Sequence, residues 1–124
     1  PGMDHEQVGQ FLDKGFEQAG IEGFQRTLHF YMPGGEIPQD DRFVKLCLEE
    51  REHQFGIKSE PQPFDASCEQ CFLAREGIQT VICGPGDIAQ AHTVGEFTWE
   101  KQVRDAVSLY ERIIDRVLYK TNYI

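Results

Sequence analysis

Residues 78–96, IQTVICGPGDIAQAHTVGE, decide how this chain is read. Ile78-Gln79-Thr80-Val81-Ile82-Cys83 is a short, almost wholly apolar run. Strands buried on both faces of a parallel sheet have this composition. Gly84-Pro85-Gly86 ends the run abruptly. Glycines at 84 and 86 let the backbone turn and approach a ligand closely, offering N–H groups to an anion. His92 follows, and then Glu96. α/β proteins place ligands beyond the C-terminal ends of their strands, and imidazole is a common zinc ligand. His92 is therefore the candidate metal donor, although a lone loop histidine is by itself more often solvated or structural.

Upstream of this segment, Val8, Phe11, Leu12 and Phe16 recur at helical spacing within residues 4–18, and Gly20 follows as a stop. In residues 24–32, FQRTLHFYM, apolar and polar side chains mostly alternate, which predicts a strand with one covered face. Pro33-Gly34-Gly35 closes that run. Asp40 or Asp41 can cap a helix reaching about Phe55, with Phe43, Val44, Leu46, Cys47 and Leu48 on its apolar side and Gly56 at its C-cap. Pro61 and Pro63 keep the next stretch extended. A short helix opened by Asp65 ends at Gly77. From Thr98 a long helix carries Val103, Val107, Tyr110, Ile113, Ile114, Val117 and Leu118 on one broad apolar face. At ~1.5 Å per residue it spans roughly 33 Å. Helices alternating with two strands predict an α/β architecture. Two strands make a marginal sheet, so the pattern looks like part of something larger.

Composition narrows the function classes. The chain has 124 residues, 40% of them hydrophobic and 27% charged, the profile of an ordinary globular protein. No apolar run approaches the ~20 residues of a membrane span. A net charge of −9 offers no basic stripe for nucleic acid and disfavours anionic lipid. Free, buried thiols at Cys47 and Cys83 fit a reducing cytoplasm. Cys68-Glu-Gln-Cys71 has the spacing of a redox or metal pair but lacks a second CxxC, so two packed thiols are the simpler reading. Glu50-x-x-His53 reads as an exposed helix-end pair, and the acidic run Glu49, Glu50, Glu52 as a solvated face. His5 and His29 read as surface residues and Trp99 as a packing anchor.

Residues 64–97, FDASCEQCFLAREGIQTVICGPGDIAQAHTVGEF, resemble the C-terminal signature of the M20 family of zinc-dependent amidohydrolases. An Asp-Ala pair, a helix, a short strand, GPG, AHT and a nearby Glu before a closing helix occur in that order. GPGDIAQAH is especially similar to acetylornithine deacetylases, with succinyl-diaminopimelate desuccinylases as the neighbouring branch. The resemblance implies a parallel-sheet, zinc-exopeptidase-like catalytic domain with an inserted lid that mediates dimerisation. Residues 1–36 would be the last helix and strand of that α+β lid, and residues 37–124 the C-terminal portion of the catalytic domain. It further implies two zinc ions (cobalt as a substitute), a carboxylate general base, and cleavage of an amide bond in an N-acyl amino acid or dipeptide-like substrate. By position His92 matches the last metal ligand, and Gly84, Pro85 and Gly86 match the loop lining the substrate pocket. The family's His-x-Asp motif, bridging Asp and Glu-Glu pair have no counterpart in this sequence, and Gln79 stands where the family has Pro. One imidazole cannot hold a catalytic zinc, which takes about three protein ligands. The chain alone is expected to be inactive, completed by an N-terminal portion or held in a homodimer. A non-catalytic interaction module is the rival expectation.

Overall fold

The computed structural model describes residues 2–119; Pro1 and residues 120–124, the outer ends of the two expected regions, lie outside the described residues. The chain divides into two units, Pro1–Ile37 with Asp65–Thr80, and Pro38–Phe64 with Val81–Ile124. Four α-helices and one 3-10 turn account for the regular structure: α1 (His5–Gln18), α2 (Arg42–Phe55), α3 (Gln70–Arg75), the turn Ile88–Gln90, and α4 (Glu100–Leu118).

The α/β expectation does not hold. Helix makes up 47% of the structure, and among the described residues there is no strand and no sheet, parallel or otherwise. A strand exists only through ladder hydrogen bonds to a neighbour, and neither residues 24–32 nor residues 78–83 find one. Ile78 and Ile82 are about half exposed, the reverse of a strand covered on both faces. The lid and catalytic-domain topology inferred from the resemblance is corrected with it.

Two of the helices, α1 and α2, start at ends specified locally, whereas α3 begins only at Gln70, without a side-chain cap, and not at Asp65 as the sequence predicts. Asp4 caps α1, its carboxylate accepting from the Gln7 N–H at 2.8 Å while Gln7 Oε1 accepts from the Asp4 N–H at 2.9 Å. This reciprocal pair satisfies two donors that a helix start leaves orphaned. The Asp41 carboxylate accepts from the Phe43 N–H at 2.7 Å to open α2. Gly20, Gly56 and Gly77 each follow a helix at positive φ (72°, 68° and 74°), where a Cβ would be penalised.

Within the first unit, residues 24–31 run back along α1. The Phe24 and Phe16 rings lie 4.6 Å apart, Arg26 pairs with Asp13 at 2.9 Å, and the Tyr31 hydroxyl donates to the Met3 carbonyl at 2.5 Å. Eight residues thus run along about twelve residues of helix, roughly 18 Å, which calls for a largely extended chain. Side chains rather than a ladder hold the run. Gly35 lies against α3, where an added Cβ would meet the Cys71 Cα at 2.9 Å. Backbone cannot swing aside as a side-chain tip can, so Gly35→Ala is expected to destabilise this unit by about 1–3 kcal/mol. Faster amide exchange in α3, with α4 unchanged, would register the effect.

In the second unit α2 and α4 pack together. They run antiparallel: Gln54 Nε2 donates to the Asp105 carbonyl at 2.7 Å at one end, and Arg116 reaches Glu49 at 2.9 Å toward the other. Val44 and Leu46 on α2 and Ala106 and Leu109 on α4 are the buried apolar residues of the two helices. The apolar stripe expected to bury on α4 does so only in part: Ile113 and Val117 are half-buried, while Val103, Val107, Tyr110, Ile114 and Leu118 remain exposed. Instead α4 turns Ala106 and Leu109 inward, together with Arg112 and Arg116, which meet Glu50 at 2.6 and 3.0 Å.

Candidate functional site

The loop from Gly84 to Glu96 follows the apolar run 78–83 and precedes α4. Its base is tied down by the Tyr110 hydroxyl on α4, which donates to the Cys83 carbonyl at 2.8 Å. Gly86 has φ 93°, and a Cβ there would stand 3.2 Å from Thr98 Oγ1. Glycine is required at that point, as the turn reading supposed. Gly84, Pro85 and Gly86 are all exposed.

Beyond the glycines, short-range bonds organise the chain. The Asp87 carboxylate accepts from the Ala89 N–H at 2.9 Å and caps the turn Ile88–Gln90. The Gln90 carbonyl accepts from Thr93 twice, from its N–H at 3.3 Å and its hydroxyl at 2.8 Å. Between these lies His92, exposed, with φ 61°. Among the described residues it alone, apart from glycines, takes a left-handed conformation. Non-glycine residues adopt that region at an energetic cost, and such positions gather at functional sites. The His92 N–H donates to Glu96 Oε2 at 3.1 Å.

Other candidates behave differently from expectation. All four cysteines are free. Burial, and then the neighbouring Cys83, pushes the Cys47 thiol up to about 11, which makes it a poor nucleophile. Cys83 is exposed rather than buried. Cys71 Sγ donates to the Cys68 carbonyl at 3.2 Å, so the CxxC closes a turn. His5 and His29 are exposed as expected, and Trp99 is exposed too, edge-on to Phe97 at 5.4 Å, rather than a buried anchor.

Glu50 is the largest miss. It is buried to 6% exposure, not solvated, and holds two arginines. Burial raises its carboxyl, but hydrogen bonds from Arg116 and Arg112 outweigh that and hold it below the usual carboxylate range. A cue was present: Arg112 and Arg116 are one helical turn apart and interrupt an otherwise apolar helix side.

A model of Peptidase family M20/M25/M40 matches residues 12–116. The chain belongs to peptidase family M20/M25/M40. No curated protein and no solved structure matches it. For an M20 chain the coarse chemistry follows: the family comprises hydrolases that generally use metal ions such as zinc. Donor chemistry tests whether these residues fit such an ion. Among the described residues, no three or more His, Cys, Asp or Glu side chains form a group able to hold a metal. His92 supplies one exposed nitrogen where about three protein donors are needed. The described residues do not hold a catalytic ion by themselves. No helix among the described residues is long and apolar enough to cross a membrane.

Proposed function

We propose that this M20 chain contributes to a zinc-dependent amidohydrolase resembling acetylornithine deacetylase, cleaving the amide of an N-acyl amino acid or dipeptide-like substrate. His92 is one donor to a two-zinc centre, with cobalt able to replace zinc. Gly84, Pro85 and Gly86 line the substrate pocket. The other donors come from a complementing N-terminal portion, in a cytoplasmic enzyme that pairs as a homodimer.

The observation that carries this reading is the left-handed backbone of His92 inside the family-matched region. A loop that spends conformational energy on one exposed imidazole has a use for it. In an assembled enzyme His92 would be one of the residues holding zinc, and the ion would supply Lewis-acid activation for amide hydrolysis. The chain's own part is narrower: it fixes the backbone at position 92 and keeps the 84–86 loop open to substrate.

The lack of any three-donor group among the described residues favours a second reading, a non-catalytic interaction module. Mixing separates them. The chain is combined with a separately produced segment bearing the His-x-Asp, bridging Asp and Glu-Glu motifs of an M20 deacetylase. Zinc is added, and release of amine from N-acetyl amino acids is followed. Hydrolysis that needs both polypeptides and zinc supports the enzyme. No hydrolysis, despite a stable complex, assigns the chain to the module class.

A further inference from the structure

We infer that Glu96 is the positioning residue of the loop: by accepting from the His92 N–H, its carboxylate holds His92 in the left-handed conformation. The inference builds on the reading of His92 as a metal donor, and concerns how that donor is presented.

Three features of the loop carry it. The His92 N–H is bound by a carboxylate four residues ahead, at 3.1 Å, where a continuing helix would use a carbonyl four residues behind. Glu96 is itself fixed in place, since its own N–H donates to the Thr93 carbonyl at 3.2 Å. Thr93 is in turn held twice by Gln90. The bonds therefore run in series from the capped turn Ile88–Gln90, through Thr93 and Glu96, back to His92. Asp87, the other carboxylate of the loop, is engaged with Ala89. A charge-assisted bond to a backbone N–H is stronger than a neutral one, which suits the task of holding a residue in a sparsely populated conformation. Metal sites need donors held within about 0.5 Å of the productive geometry, and rotation about the His92 backbone would move the imidazole far more than that.

The test reads residue 92 directly and without metal. In isotope-labelled protein, amide exchange and the HN–Hα coupling of His92 are compared among wild type, Glu96→Ala and Glu96→Gln. Glu96→Ala is expected to speed exchange at His92 about fivefold, the scale of one lost hydrogen bond, and to move the coupling off its left-handed value. Glu96→Gln keeps a carbonyl acceptor and stays within about twofold of wild type. Exchange in α4 stays constant in all three, which separates a local role from general loosening. Identical exchange and coupling at His92 in wild type and Glu96→Ala overturn the assignment.

A second arm mixes each variant with the separately produced segment bearing the other M20 motifs, adds zinc chloride and follows the His92 ring resonances. The expected result is that Glu96→Ala needs several-fold more zinc than wild type for the same ring shift, although His92 is unaltered. If zinc moves the ring in none of the three while the amide effect persists, the metal reading of His92 fails and the positioning by Glu96 stands.

Discussion

Glu50→Ala is expected to destabilise the α2–α4 unit by about 2–3 kcal/mol, because it leaves two neighbouring α4 guanidinium groups, Arg112 and Arg116, without the buried carboxylate they share at the helix interface. Breaking a fully buried pair costs about 3–5 kcal/mol. The lower figure applies because the Arg112 and Arg116 side chains remain 38% and 33% exposed and are partly screened by water. Against a total stability of roughly 5–15 kcal/mol that loss is large. Glu50→Gln keeps an acceptor without the charge and should cost about half as much. Replacing all three residues by apolar ones of similar volume should restore most of the stability. Urea midpoints at constant slope measure each step. An unchanged midpoint for Glu50→Ala would mean that the two arginines do not depend on it. The same carboxylate sets an acid limit. Its folded pKa is depressed, so the unfolded state binds the proton more readily. Its stabilisation is complete above the ordinary glutamate range and is lost as pH falls through and below that range. In Glu50→Gln this part of the acid dependence should vanish.

His92→Asn in the complemented enzyme is expected to reduce hydrolysis by more than about 100-fold. Loss of a group that merely orients a metal ligand already costs ~10–100-fold in affinity or activity, and removal of a donor exceeds that. Asparagine is the informative replacement because it tolerates the left-handed region and retains the N–H that Glu96 binds. The fold of the loop therefore survives while the imidazole is lost. Zinc content by elemental analysis should fall in parallel with activity. Activity within tenfold of wild type would remove His92 from the donor set.

The legible part of this protein was its local part. Asp4, Asp41, Gly20, Gly56 and Gly77 mark helix ends through bonds made within a few residues, and each end falls where those residues place it. Nothing comparable specifies a sheet. Alternation in residues 24–32 describes how side chains are distributed along an extended run, and the run is extended; a ladder depends on a second backbone that periodicity cannot supply. On α4 two apolar sides compete. The richer one, Val103 through Leu118, outweighs Ala106 and Leu109 in any sum over hydrophobicity, yet α2 selects the poorer side because Glu50 on α2 engages Arg112 and Arg116 there. In the site, the order GPG then His92 then Glu96 was readable, whereas the left-handed φ of His92 was not, since even histidine, one of the residues enriched there, adopts that region only uncommonly. Glu50 was assigned to solvent because its sequence neighbours Glu49 and Glu52 are exposed, while a helix places residue 50 on another side from residue 49.

Four large side chains along one side of α4, Val103, Val107, Ile114 and Leu118, are 43–60% exposed to water. Purified by itself, such a polypeptide should behave as a mild surfactant, adsorbing to plastic and to the air–water interface. Environment-sensitive dyes that fluoresce on greasy surfaces would shine before any heating. A dye-based melt would then begin bright and fade, and its inflection would report desorption rather than unfolding.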